Sequence, residues 1–476
     1  MPNSSVPQDL PLLLGGEPAS TGRWAEVRAP WDGMLVGRAA VAGPAEVTRA
    51  IDDAHRAAPE ARSLPAWRRA EILMRIHDGA RELREELAFL LAREAGKPLA
   101  AARYEVDRVL FVFRDAAAEA QRIGGEVIPL DRMPHGAGRW GLTRRFPLAP
   151  VSGIVPFNFP LLLAAHKIAP AIACGATLVL KTPPQDPLAL LRLARVVAGA
   201  GYPAGGVGAV HCSVEDAAPL IDDPRVRMVS FTGSARAGWA IRRQAATKRV
   251  LLELGGNAGV IVAADADLDR AADRCVAGGF TYAGQSCISV QRILVHRDAW
   301  QPFLERLLPR VEALHTGDPL AAGTDVGPMI DEAAARRAES WIADALAAGA
   351  TAHTGVGRSG AVLEPTVLTG TTPGMQVECE EVFAPVVTVR PWDTLEEAFA
   401  ALNASDYGLQ AGIFTRDLRT AWAAFEALEV GGVIVDDIPG YRVDHMPYGG
   451  VKASGQGREG VRYAIEEMTD LRLLVI

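Results

Sequence analysis

Cysteine is scarce in this chain and badly spaced for structural use. Its 476 residues hold five, Cys174, Cys212, Cys275, Cys287 and Cys379. The number is odd, and no two stand at the spacing of a zinc or redox motif. That excludes a disulfide framework and points to reduced thiols in a cytoplasm. The nine histidines are scattered singly, so no metal site is expected. An excess of basic charge is also missing. The net charge is −8, which argues against a nucleic-acid partner or an anionic membrane surface. No apolar run reaches the length of a membrane span. The nearest, 151–173, is broken by Asn158, His166, Lys167 and several prolines. The amino terminus, residues 1–16, has no basic region ahead of its short leucine run, so no signal peptide is expected.

What is present is an ordinary soluble composition, 49% hydrophobic and 22% charged, which excludes a disordered chain. The length exceeds one hydrophobic core, so two or three domains are expected. There is no internal repeat and no low-complexity linker. Residues 17–42 suggest short surface strands. Helical periodicity follows over 46–58, 65–85, 86–95 and 99–122. Residues 140–146 alternate like an exposed hairpin arm, and 471–476 form a second unpaired strand candidate. Two such edges suggest a small oligomerisation element, although pairing with each other would serve equally well.

Residues 151–252 carry the clearest fold signal. Strand-like runs at 151–155, 177–181, 208–211, 227–231 and 249–252 alternate with helical patterns at 161–173, 187–200, 215–221 and 235–245. This predicts an α/β fold with a parallel sheet whose ligands bind past the carboxyl ends of the strands. After residue 253 the alternation resumes less regularly. Helices are expected at 268–280, 300–314, 332–348 and 394–404, and strands at 291–296, 362–368 and 386–389.

Several stretches carry chemistry. Gly284-Gln285-Ser286-Cys287 places a thiol at the expected end of a helix, where backbone N–H groups would favour a thiolate or an oxyanion. Asn158 stands between two aromatics and two prolines. Its amide suits a carbonyl oxygen under attack, or simply closes a turn. Glu253 ends an apolar run and precedes Gly255-Gly256. A buried carboxylate there suits a general base, and otherwise a helix cap or ion pair. The turn from Phe231 to Gly238 joins a strand to a helix and suits a phosphate. Lys181 would meet a phosphate or a ribose, and Glu381, near Phe383, a second ribose. A surface ion pair is the competing reading for both.

Taken together, Pro156–Pro160, Phe231–Gly238, Glu253–Gly256, Gly284–Cys287, Glu381–Pro385 and the run Pro447-Tyr448-Gly449-Gly450-Val451-Lys452-Ala453-Ser454-Gly455 resemble the NAD(P)-dependent aldehyde dehydrogenase superfamily over nearly the whole chain. Within it, the stretches 444–460 and 287–292 look most like the lactaldehyde and phosphonoacetaldehyde dehydrogenase group. The resemblance implies a Rossmann-type coenzyme domain (1–123 and 148–254), an α/β catalytic domain (255–462) and a small β oligomerisation arm (124–147 and 463–476), assembled as a homodimer or homotetramer. It implies that Cys287 attacks an aldehyde, with Asn158 and the Cys287 N–H on the oxyanion and Glu253 activating water against the resulting thioester. Pro156, Phe157, Lys181, Gly233, Ser234, Gly238, Leu254, Glu381 and Phe383 match positions that contact NAD or NADP. Two departures bear on that choice. Pro184 stands where NAD-preferring members commonly place a glutamate, and Cys212-Ser213 replace a glycine pair.

For the substrate, Arg108, Arg292 and Arg442 are candidates to bind the anionic group of a small polar aldehyde. The alternative pairs Arg442 with Asp444, and Arg108 with Glu105 or Asp107. Ser286 replaces the arginine that non-phosphorylating glyceraldehyde-3-phosphate oxidisers place before the cysteine, which counts against that substrate. The rival functions are a CoA-acylating dehydrogenase, against which Glu253 argues, and a non-catalytic binding relative.

Overall fold

The computed structural model describes residues 8–476; residues 1–7, part of the stretch read for a signal peptide, lie outside the described residues. Two parallel sheets organise the chain. In the first, eight strands run in the order Gly455–Gln456, Arg249–Glu253, Met228–Thr232, Val151–Ile154, Leu178–Lys181, Val207–Val210, Leu12–Leu14, Glu17–Ala19. The five central strands are parallel, and the flanking ones antiparallel. The chain order reverses between Val151–Ile154 and Met228–Thr232, so a crevice opens past their carboxyl ends. Asn158 and Gly233 follow those two strands directly.

Helices cover both faces of this sheet, which is why its strands read as unbroken apolar runs instead of alternating ones. Leu178–Lys181 is buried at every residue. The helix Pro160–Cys174 is buried over its full length, including His166 and Lys167. Two buried charge-bearing side chains in an apolar helix require buried partners, and the active site supplies them.

In the second sheet seven strands run Thr351–Ala352, Thr366–Thr369, Val386–Trp392, Arg292–His296, Gly259–Val262, Gln410–Phe414, Gly432–Val435. All pair in parallel except Thr351–Ala352. The single strand expected at 362–368 is two, Val362–Leu363 and Thr366–Thr369, divided at Pro365, whose missing N–H interrupts a ladder. The strands Gly259–Val262, Gln410–Phe414 and Gly432–Val435 are short, glycine-containing runs without alternation, and periodicity did not find them.

The two edges noted in the sequence meet within one chain. Trp140–Pro147 pairs antiparallel with Thr469–Val475 on one side and Val127–Pro129 on the other. The helix Val461–Glu467 packs in the first hydrophobic core, and Gly455–Gln456 joins the first sheet. The carboxyl-terminal stretch therefore crosses back from the second sheet before reaching the arm. No helix among the described residues is long and apolar enough to cross a membrane.

Candidate active site

Cys287 lies beyond the carboxyl end of the helix Leu268–Phe280, not at a helix amino terminus. Between helix and thiol the backbone turns through three left-handed residues, Tyr282, Ala283 and Gly284. A Cβ at Gly284 would collide with the Ala384 carbonyl, so only glycine fits. The two non-glycine residues each cost about 1–2 kcal/mol in that conformation. The turn is held from outside: Gln285 Oε1 accepts from Ile330 N at 2.9 Å, and Tyr282 donates its hydroxyl to Ala95 O at 3.1 Å. The result presents Cys287 with a backbone N–H that carries no hydrogen bond among the described residues.

Asn158 reaches this segment. Its Nδ2 donates to Gln285 O at 3.1 Å, which leaves the second amide hydrogen for another acceptor. Its own carbonyl accepts from Lys97 Nζ at 2.7 Å. Lys97 is completely buried, paired with Glu105, and stacked 3.9 Å from the Phe159 ring and 4.4 Å from that of Tyr282. Neither Lys97 nor Tyr282 was singled out in the sequence.

Glu253 ends its strand, and its backbone carbonyl accepts from Gly233 N at 3.0 Å. Its carboxylate is buried, and neither oxygen has a hydrogen-bond partner among the described residues. Burial, reinforced by the nearby Glu459, raises its pKa well above the ordinary carboxylate value, against the pull of Arg442, Lys167 and Arg458. Burial also pushes the Cys287 thiol up to about 12, with a bond from Tyr448 opposing it. The Glu253 carboxylate is close enough to add to the rise of the thiol.

The three substrate arginines do not lie free. Arg292 is a correction. Its strand position buries the guanidinium, which donates to the carbonyls of Asn257 and Ala401 at 3.0 Å and of Leu402 at 3.4 Å. Arg108 pairs with neither Glu105 nor Asp107. It makes a two-pronged pair with Asp444, at 2.9 and 2.7 Å. Arg442 donates to Glu459 Oε2 at 3.3 Å, contacts His166 Nε2 at 3.2 Å and lies 3.8 Å from Asp444. Its guanidinium stacks 3.6 Å over the Tyr448 ring. Lys167 completes the cluster, donating to Thr232 Oγ1 at 2.8 Å and Glu459 Oε1 at 3.2 Å. Burial and the Arg442 charge lower the His166 pKa, so it is neutral at pH 7. Three cationic side chains therefore face two carboxylates, Asp444 and Glu459.

The cofactor candidates gather at the strand ends. Lys181 Nζ is buried and bonds only to the Thr182 carbonyl, at 3.3 Å, with no carboxylate partner among the described residues. A buried ammonium without a counter-ion fits an anionic or hydroxyl-rich ligand. Glu381 accepts from Gly256 N at 2.9 Å, and burial raises its pKa to about 7. Phe383, in the left-handed region, meets Phe157 edge-on at 5.9 Å. Gly238 is explained by packing, since a Cβ there would strike the Leu254 side chain. Ser234 caps its helix, accepting from Ala237 N at 3.4 Å. Pro156 precedes Phe157 in the loop after the strand Val151–Ile154.

A thiol, an amide donor and an unpartnered carboxylate above the crevice of a nucleotide-type sheet make a site for oxidising a carbonyl carbon. Residues 17–474 match the aldehyde dehydrogenase family, and the chain belongs to it. It is an oxidoreductase that converts an aldehyde to a carboxylic acid with NAD(P)+. Among its relatives, 3-sulfolactaldehyde dehydrogenase of Priestia aryabhattai is 41% identical over 98% of this chain and 97% of its own. Aldehyde dehydrogenase 21 of Physcomitrella patens, solved with its product succinate, superposes with a TM-score of 0.97 at 40% identity, over 99% of this chain and 98% of that one. Glyceraldehyde-3-phosphate dehydrogenase of Methanocaldococcus jannaschii, solved with NADP, gives 0.92 at 38% identity, over 96% and 99%.

Proposed function

We propose that this enzyme oxidises small aldehydes bearing an anionic group, and that it releases the acid by hydrolysis. The observation that carries this reading is Glu253: a buried, unpartnered carboxyl beside a thiol has no structural work. Cys287 loses its proton to a base, and its sulfur bonds to the aldehyde carbon. The carbonyl oxygen takes the negative charge and is held by Asn158 Nδ2 and the Cys287 N–H, each donor contributing roughly 3–4 kcal/mol. Lys181, Gly233, Ser234, Glu381 and Phe383 would hold NAD(P)+, which would supply the hydride acceptor. Once the hydride has left, the carbon is a thioester on Cys287. Glu253 takes a proton from water, the water oxygen bonds to the carbon, and the sulfur departs as thiolate. Aldehyde, water and NAD(P)+ thus become carboxylate, NAD(P)H and two protons.

The unmatched positive charge of the Arg108, Arg442 and Lys167 cluster supports an anionic substrate. So do the sulfonate and carboxylate compounds named for the relatives above. In this reading Arg108, paired with Asp444, acts through its field, while Arg442 keeps a buried Nε–H without a partner among the described residues. Pro184 brings no carboxylate to repel a 2′-phosphate, so the site accepts NADP as well as NAD. Residues 1–123 and 148–254 hold the coenzyme, 255–462 the thiol, and 124–147 with 463–476 an assembly arm. Leu471, Leu473 and Ile476 on that arm, and Trp422 and Phe425 near the edge strand Gly432–Val435, are exposed apolar surface suited to a homodimer or homotetramer in the cytoplasm.

The test is an aldehyde panel run with each cofactor, with and without CoA, on the wild type and Cys287→Ala. NAD(P)H formation from anionic aldehydes without CoA, abolished in Cys287→Ala, is expected. A CoA requirement would overturn hydrolysis, preference for long uncharged aldehydes would overturn the anion reading, and turnover by Cys287→Ala would remove the nucleophile.

A further inference from the structure

Tyr448 sits where no chemistry was expected of it. Its hydroxyl is 3.0 Å from Cys287 Sγ, and this is its only hydrogen-bond partner among the described residues. The side chain is buried in an apolar cluster with Ile288 and Leu409, against Cys287 and Met446. A phenylalanine would fill that space equally well. A buried hydroxyl without a partner is destabilising, so the oxygen is accounted for only by the sulfur.

The ring is also fixed more firmly than packing requires. Tyr448 N donates to Glu459 O at 3.1 Å, and Glu459 N donates back to Tyr448 O at 2.7 Å. The Glu459 carboxylate in turn holds Arg442, whose guanidinium covers the Tyr448 ring. Backbone and ring are tied to one buried ion cluster, which aims the hydroxyl at the thiol.

We propose that Tyr448 is a further catalytic residue, whose O–H donates to the Cys287 sulfur while that sulfur is a thiolate. The proposal rests on the reading of Cys287 as nucleophile and adds a partner to it. The Cys287 proton leaves to a base, and the phenol keeps its own proton and turns it toward the sulfur. When the C–S bond forms the sulfur loses its charge and the hydrogen bond weakens. When the thioester is hydrolysed the thiolate returns to the same donor. The phenol therefore assists both the attack and the final departure, with no net proton transfer of its own. The other ionisable groups acting on the sulfur are Glu381, Arg442 and Glu253, and none of them bonds to it.

The test is alkylation of the full-length enzyme by iodoacetamide across pH, read by mass spectrometry on the Cys287 peptide so that exposed Cys379 does not interfere. Tyr448→Phe, checked for folding by thermal unfolding, should react roughly tenfold more slowly at neutral pH, the worth of one hydrogen bond to a charged group. The rate should stay about tenfold lower at every pH at which both proteins are folded, as for a thiol one unit less acidic. Site-specific 3-fluorotyrosine at 448 keeps the ring and strengthens the donor, and should raise the rate. An unchanged rate in folded Tyr448→Phe would overturn the proposal. If that variant does not fold, an unchanged rate with fluorotyrosine would overturn it instead. Alkylation needs no turnover, so it stands apart from the Cys287→Ala assay that tests the nucleophile itself.

Discussion

Two buried ion clusters adjoin the site, and they are built on opposite plans. The first joins Lys97 to Glu105, with Glu94 and Asp186 nearby, and is tied to Asn158 through the Lys97 ammonium. Carboxylates outnumber the cation; helix amino termini take up Glu94 and Glu105, while Asp186 has neither oxygen bonded among the described residues. Glu94 accepts from Leu188 N and Ala189 N, both at 2.7 Å, and Glu105 from Leu161 N and Leu162 N at 3.1 and 3.2 Å. The second cluster joins Arg108, Asp444, His166, Arg442, Glu459 and Lys167, and reaches Cys287 through Tyr448. Here cations outnumber the charged acids, and the nearby Glu253 bonds to nothing. The first cluster ties two of its three acids to backbone, and its ammonium positions Asn158. The second leaves a carboxyl and a net charge beside the thiol. Residue type is shared, and each cluster keeps one carboxyl without a hydrogen bond among the described residues; what separates scaffold from chemistry is that only Glu253 lies beside the thiol.

The largest effect should come from Glu253→Gln. Turnover should fall about 10²–10⁴-fold, the usual worth of a general base. Thermal stability should hold or rise, because an unpartnered carboxyl gives up no bond. Unchanged steady-state NAD(P)H production would erase the distinction between the clusters. Next comes Lys97→Met. Leaving Glu105 buried without its cation should cost about 3–5 kcal/mol in denaturant unfolding. A loss below about 1 kcal/mol would rank this pair with exposed ones.

Smallest per pH unit is a pH dependence in the first cluster. Burial, partly offset by the two backbone N–H donors, pushes Glu94 up from 4.5 to about 8. Between those values the native state holds a proton that the unfolded chain has released. Its contribution to stability is therefore full below pH 4.5 and lost as pH rises toward about 8. Glu94→Gln should remove that decline, which is at most about 1.4 kcal/mol per pH unit. Parallel stability profiles for the two proteins would show that Glu94 is ionised throughout.

Much of the fold was legible. The alternation over 151–252 placed five strands and their crossover helices within a residue or two, except that the helix expected at 215–221 is only Pro219–Asp222. The resemblance of the six motifs to the aldehyde dehydrogenases agrees with the family match. Cys287, Glu253 and Asn158 stood out because each is a polar residue where packing wants none. The same signal is present at His166 and Lys167, which interrupt an apolar run and belong to the second ion cluster. Tyr448 carried no such mark, since a tyrosine between a proline and glycines reads as a turn. Arg292 looked like a substrate ligand because it is near Cys287 in sequence. One residue of strand register turns such a side chain inward, onto carbonyls, instead of toward the crevice.

Order along the chain set the alternating sheet, the reactive residue types and the absence of metal-ligand spacing, because these depend on neighbours a few residues apart. Which arginine meets which acid, which hydroxyl touches the sulfur and which carboxyl is left unpartnered were decided by the folded arrangement. Those contacts join residues as far apart as Arg108 and Asp444, or Cys287 and Tyr448. The energy of a buried polar atom depends on what lies within about 3 Å of it, and local sequence does not specify that distance.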